Sequence, residues 1–167
     1  MDVDTNAYYE RIIKKTASFM ECCCKSGALL GGADEEQTRL MGEYGLNLGL
    51  AFQIVDDIMD FCGDTIQMGK PKREDIMQGN ITLPLILALE KEKQGSRLKE
   101  IITAGKFTEE RMDTLTGLME KSGAIEQSFR MAAGHLEKAW ACLKSLPDNE
   151  STGILYGMAE AMKSRIN

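Results

Sequence analysis

Apolar residues return along this chain at the three- and four-residue spacing of helices. Over residues 6–30, Ile12, Ile13, Phe19, Met20 and Cys23 keep that period without a proline and stop at Gly31-Gly32, which predicts one long helix. Acids at Asp34, Glu35 and Glu36 suit a first turn, and the period then runs through residues 40–61 to Gly63, predicting a second. Residues 63–81 break the pattern with Gly69, Pro71, Gly79 and many charges, which predicts a long ionic loop. Helical spacing resumes over 83–93, 96–104, 108–121, 123–145 and 149–166, with helix starts at Thr108-Glu-Glu and at Pro147-Asp-Asn-Glu. No fixed-period repeat and no linker interrupts the series, so the expectation is one all-α domain over residues 1–167.

Composition agrees. With 43% apolar and 28% charged residues the chain can bury a core, and 11 Met, 3 Pro and 6% aromatics lean away from an all-β fold. A net charge of −6 opposes attraction to phosphate backbones, which excludes nucleic acid as a first choice of partner. The best apolar run, Leu83 to Leu89, falls far short of the roughly 18 residues of a membrane span. The residues Met1-Asp-Val-Asp-Thr5 hold no apolar secretory core, so a cytoplasmic address is expected. Cys22, Cys23 and Cys24 are consecutive and point about 100° apart on a helix, and there is one histidine and no C-x-x-C pair. Reduced thiols are therefore expected rather than a zinc site.

On a wheel that sets Gln53 at zero, Asp56, Asp57, Asp60 and Asp64 fall at about −60°, +40°, −20° and +20°. Gly42, Gly45 and Gly49 extend that stripe one and more turns earlier, while Tyr44, Leu48, Ala51, Val55, Ile58 and Cys62 take the opposite, core side. The bare glycines admit another backbone or an elongated ligand. A solvated acidic face is the ordinary explanation of such a stripe, but clustered carboxylates repel and call for a hard cation. An EF-hand fails, because eleven residues beyond Asp56, Asp57 and Asp60 stand Gln67, Met68 and Pro71 rather than Glu. General acid-base work lacks a neighbour that would raise a pKa. Metal ligation is the expectation.

The loop then places three cations in four positions, Lys70, Lys72 and Arg73, around Pro71 and after Gly69, which suits an anion, and Lys70 is the better candidate. Lys72 and Arg73 read equally as solvated charges. Thr82 and Pro84 read as a helix entry with Thr82 capping, and His135 as a surface or packed histidine.

These residues resemble the trans-isoprenyl diphosphate synthases, the polyprenyl synthetase family. The match is Gly49-Leu-Ala-Phe-Gln-Ile-Val-Asp-Asp-Ile-Met-Asp60, Gly69-Lys70-Pro71 and Asp75-Ile-Met-Gln-Gly-Asn-Ile-Thr-Leu-Pro84, similar to the family's second Asp-rich motif and the loop after it. Tyr9-Glu-Arg-Ile-Ile-Lys-Lys-Thr-Ala17 with Ser26-Gly-Ala28 resembles its lysine-threonine helix, and Met158 to Arg165 its last helix. The resemblance implies the orthogonal helical bundle of isoprenoid synthases. It implies that Asp56 and Asp57 ligate Mg²⁺ bridging an allylic diphosphate, with Asp60 acting directly or through water, and that Lys15, Thr16, Gln53 and Lys70 hold that diphosphate. The implied reaction is ionisation of the allylic diphosphate, attack by the double bond of isopentenyl diphosphate, and proton loss to the departing pyrophosphate.

The resemblance extends to the family's C-terminal half only. Family members are about twice as long, and their N-terminal half carries the first Asp-rich motif and the residues that bind isopentenyl diphosphate; no second Asp-Asp-x-x-Asp stands here, and Asn80 occupies a position where many relatives have lysine. The expectation is a partial or split chain that is inactive alone and works as a homodimer or with an N-terminal-half or full-length synthase chain. The alternative is a non-catalytic truncated partner that modulates a full-length synthase.

Overall fold

In a computed structural model the described residues are 4–62, 74–91, 97–105 and 107–165, and they form helices and no strand. Helix α1 (Thr5–Ile12) passes through a π-helical turn (Ile13–Ala17) into α2 (Ser18–Leu30), and α3 (Glu35–Cys62) follows. After these come α4 (Glu74–Met77), α5 (Leu83–Lys91), α6 (Arg97–Thr103), α7 (Glu109–Lys121), α8 (Ala124–Lys144) and α9 (Glu150–Lys163).

The first predicted helix is thus not uniform. Ser18 donates its N–H to the Ile13 carbonyl, five residues back, and this wider turn holds one residue more than an α-turn. Its effect shows in the burial: Tyr8 and Ile12 are four apart, but the next buried residue is Ala17, five further on. The bulge keeps small Ala17 in the interior and leaves Lys15 exposed and Thr16 half-buried. The later helices lie where periodicity places them, and Asn149 caps α9 by accepting the Thr152 N–H at 3.0 Å. Helix α4 lies inside the expected loop; residues 63–73 of that loop, with Asp64, Gly69, Lys70, Pro71, Lys72 and Arg73, lie outside the described residues.

By their contacts the residues form two units, one within Met1–Tyr8 and Asp56–Phe129, the other within Tyr9–Val55 and Arg130–Asn167. In the first, α5 carries six consecutive buried residues, Leu83 to Ala88, so it is apolar all round, and both α5 and α6 pack on α7. In the second, Tyr44, Leu48 and Ala51 of α3 meet Leu136, Ala139, Cys142 and Leu143 of α8 and Ala159 of α9. Tyr44 closes that core by donating its hydroxyl to the Leu155 carbonyl at 2.8 Å. Among the described residues no helix is long and apolar enough to cross a membrane.

The core side of α3 is as expected from Tyr44 to Ile58, but Cys62 is exposed, because it ends the helix. Thr82 also departs from expectation. Its carbonyl opens α5 by accepting the Leu85 and Ile86 N–H groups, yet its buried hydroxyl makes no capping bond and has no hydrogen-bond partner among the described residues. All five cysteines are free thiols.

Candidate functional site

The acidic stripe of α3 is not a solvated face. Asp57 is 3% exposed, Asp60 6% and Gln53 2%, while Asp56 is half-buried. Buried carboxylates need donors. In the first unit, Tyr8 of α1 donates its hydroxyl to Asp57 Oδ2 at 2.7 Å, with the phenol itself buried. Asp60 accepts the backbone N–H groups of Glu74 at 3.1 Å and Asp75 at 3.4 Å, one on each oxygen, and so holds the start of α4. Asn80 donates its side-chain amide to Asp75 at 3.2 Å and its backbone N–H to the Asp75 carbonyl at 2.8 Å, which ties down the turn after α4.

Negative charge is in excess here. Burial first, and then the charge of Asp75, pushes the Asp60 carboxyl above the ordinary range; the two N–H bonds pull it back, and Asp56 adds a further upward push. The sequence argument that nothing raises a carboxylate pKa in this motif therefore fails at Asp60, because periodicity does not show burial. Among the described residues no three His, Cys, Asp or Glu side chains form a metal cage by themselves. Mg²⁺ does not need one, since it takes one or two carboxylates and completes its octahedron with water and phosphate oxygens. The donor set fits that ion: all-oxygen, anionic, and partly withdrawn from water.

In the second unit Thr16 donates its hydroxyl to Gln53 Oε1 at 2.8 Å, bringing two expected diphosphate residues together. Lys15 is exposed and, among the described residues, makes no ion pair; Lys70 lies outside them. At Gly45 and Gly49 the glycine stripe admits a neighbouring backbone rather than a ligand. A methyl group on Gly49 would lie 2.7 Å from Ala17 Cα, and one on Gly45 2.6 Å from the Met20 carbonyl oxygen.

Two features escaped the sequence argument. One is Tyr8; its only signal is a tyrosine on the apolar face of a helix, which needs a polar partner once buried. The other is a chain of side chains around His135. Asn47 spends its Nδ2 on the Glu43 carbonyl, so its Oδ1 accepts from His135 Nδ1 at 3.0 Å, and His135 Nε2 is left to accept from the Tyr9 hydroxyl at 3.1 Å. Burial, aided by the charge of Lys138, lowers the His135 pKa to about 4, so the ring is neutral. It is a packed histidine, one of the two roles expected of it.

The family model described as polyprenyl synthetase matches residues 1–119. The chain is 38% identical over 160 residues to the heptaprenyl diphosphate synthase component 2 of Geobacillus stearothermophilus, covering 95% of this chain and 49% of that one. A decaprenyl diphosphate synthase from Rhodobacter capsulatus superposes with a TM-score of 0.90 at 30% identity, over 99% of this chain and 52% of that one. A polyprenyl synthase from Caulobacter crescentus, solved with calcium and isoprenyl diphosphate, gives 0.89 at 34% identity, over 99% and 51%. The chain spans about half the length of the curated relatives it matches.

Proposed function

The chain belongs to the polyprenyl synthetase family, and we propose that it carries the second Mg²⁺-diphosphate site of a trans-prenyltransferase that joins isopentenyl diphosphate to an allylic diphosphate. Asp56, Asp57 and Asp60 are the metal carboxylates, and Lys15, Thr16, Gln53 and Lys70 hold the allylic diphosphate. The observation that carries this reading is the burial of Asp57 and Asp60 at the end of α3, where a merely solvating acidic face would be exposed.

Bound Mg²⁺ supplies neutralisation of the charge that grows on diphosphate oxygens as the C–O bond breaks. The chain's own residues do the rest by orientation. Thr16 holds Gln53 by its oxygen, which sets the orientation of the amide. Asp60 is oriented by backbone N–H groups, and each carboxylate oxygen keeps a second lone-pair site after one hydrogen bond. Lys15, exposed on the π turn, retains a freely directed ammonium group for an anion.

Activity belongs to an assembly in this reading, in keeping with the name component 2 carried by two of the relatives. The partner is a second copy of this chain or another synthase chain, in the cytoplasm. The second reading is a truncated partner that modulates a full-length synthase without catalysing.

The test is calorimetric binding of a non-hydrolysable allylic diphosphate analogue with and without Mg²⁺. Binding that requires Mg²⁺ and is lost in Asp57→Asn is the expected result. Equal heats with and without Mg²⁺ in the unmodified chain overturn the reading. If the chain then changes turnover of a full-length synthase, the modulator reading replaces it.

A further inference from the structure

We infer that Tyr8 is a positioning residue for the carboxylate of Asp57, setting the direction in which that group meets a divalent cation. This rests on the metal reading above and adds to it a residue from a different helix.

The contact joins two buried groups, 2% and 3% exposed, at 2.7 Å. That is a well-formed separation for a hydroxyl donating to a carboxylate oxygen. It falls on one named oxygen, Oδ2, so it fixes the carboxylate plane about its Cβ–Cγ bond. The donor is itself held. Asp4 caps α1 by accepting the Ala7 N–H at 2.7 Å and takes the Tyr8 N–H on its carbonyl at 3.2 Å. One residue on, Thr5 donates its hydroxyl to Glu90 of α5 at 2.9 Å. Tyr8 therefore reaches Asp57 from a helix start anchored at two points in the same unit.

The neighbouring acids show what this adds. Asp60 is oriented by backbone N–H groups, a device available at any helix start, and half-buried Asp56 can be turned by solvent. Asp57 is the buried acid held by a side chain 49 residues away in sequence. Partners that orient metal ligands in this way change metal affinity about 10- to 100-fold when removed. The competing account is that phenol and carboxylate merely satisfy each other on burial, and it differs in its consequence: stability changes while metal affinity does not.

Tyr8→Phe removes one oxygen and separates the two accounts. The experiment titrates Mg²⁺ into the chain and records binding by calorimetry, with the melting temperature in EDTA measured alongside and Asp57→Asn as reference. The expected result is a 10- to 100-fold higher Mg²⁺ midpoint in Tyr8→Phe. The unmodified midpoint in Tyr8→Phe, whatever happens to the melting temperature, overturns the positioning role alone. No saturable Mg²⁺ response in the unmodified chain overturns the metal reading and this inference with it. Should Tyr8→Phe fail to fold, 3-fluorotyrosine at position 8 alone keeps the hydroxyl. Its fluorine resonance must shift with the same Mg²⁺ midpoint as binding, and a resonance that does not move overturns the inference.

Discussion

The two ends of α3 solve opposite problems with the same stripe of the helix. At the glycine end, Gly45 and Gly49 remove side chains so that the backbone of the π turn and α2 can touch α3 directly. At the acidic end, Asp57 and Asp60 add charged side chains that are nonetheless buried, and each is matched by a donor from another element. One end lets a neighbouring backbone approach; the other gathers carboxylate oxygens and their donors. Small residues on a helix face mark a packing seam, and buried carboxylates on the same face draw donors from other elements.

The sharpest way to break this contrast is to fill the seam. Gly49→Ala places a methyl 2.7 Å from Ala17 Cα, a backbone atom that cannot turn aside. Overpacking of this kind costs about 1–3 kcal/mol or more, and Gly45→Ala, facing the Met20 carbonyl, belongs to the same class. Urea unfolding is expected to show a large fall in midpoint for both, and an unchanged midpoint means the seam is loose.

Next in size is the acidic end. Asp60→Ala leaves the Glu74 and Asp75 N–H groups without the carboxylate that accepts them, a loss comparable with a helix cap at about 1–2 kcal/mol. Hydrogen exchange should speed up at those two amides more than elsewhere; uniform acceleration would mean Asp60 supports the whole unit and not the start of α4.

A smaller effect comes from His135, beside the glycine end. Its folded pKa of about 4 lies below the unfolded value of about 6.5. The unfolded chain therefore binds more protons within that window, and stability is lost as pH falls from about 6.5 to about 4 and is fully present above it. Comparing urea midpoints at the two pH values for the unmodified chain and His135→Gln should show a shallower fall in the variant.

The smallest effect is at Gly42, where an added methyl meets only the flexible Lys25 side chain, itself paired with Glu21. Gly42→Ala should be neutral or gain up to about 1 kcal/mol from helix propensity. A loss as large as that of Gly49→Ala would show that the stripe acts as one seam along its whole length.

Helix order, helix ends and the apolar face of α3 follow from periodicity and caps, because local spacing dictates which side of a helix can be buried. The acidic stripe with Gln53 was readable in residue types and their interval, whereas Thr16 became a candidate only through the family resemblance of its helix. What periodicity could not supply is the partner that comes from afar. Tyr8 is 49 residues from Asp57, and the Glu74 N–H 14 residues from Asp60. The π turn, the burial of the carboxylates and the raised Asp60 pKa likewise depend on which surfaces meet. A helix wheel sorts residues by face, but only tertiary packing decides whether that face meets water, a backbone or a donor, and the free energy of a charged group depends on that choice.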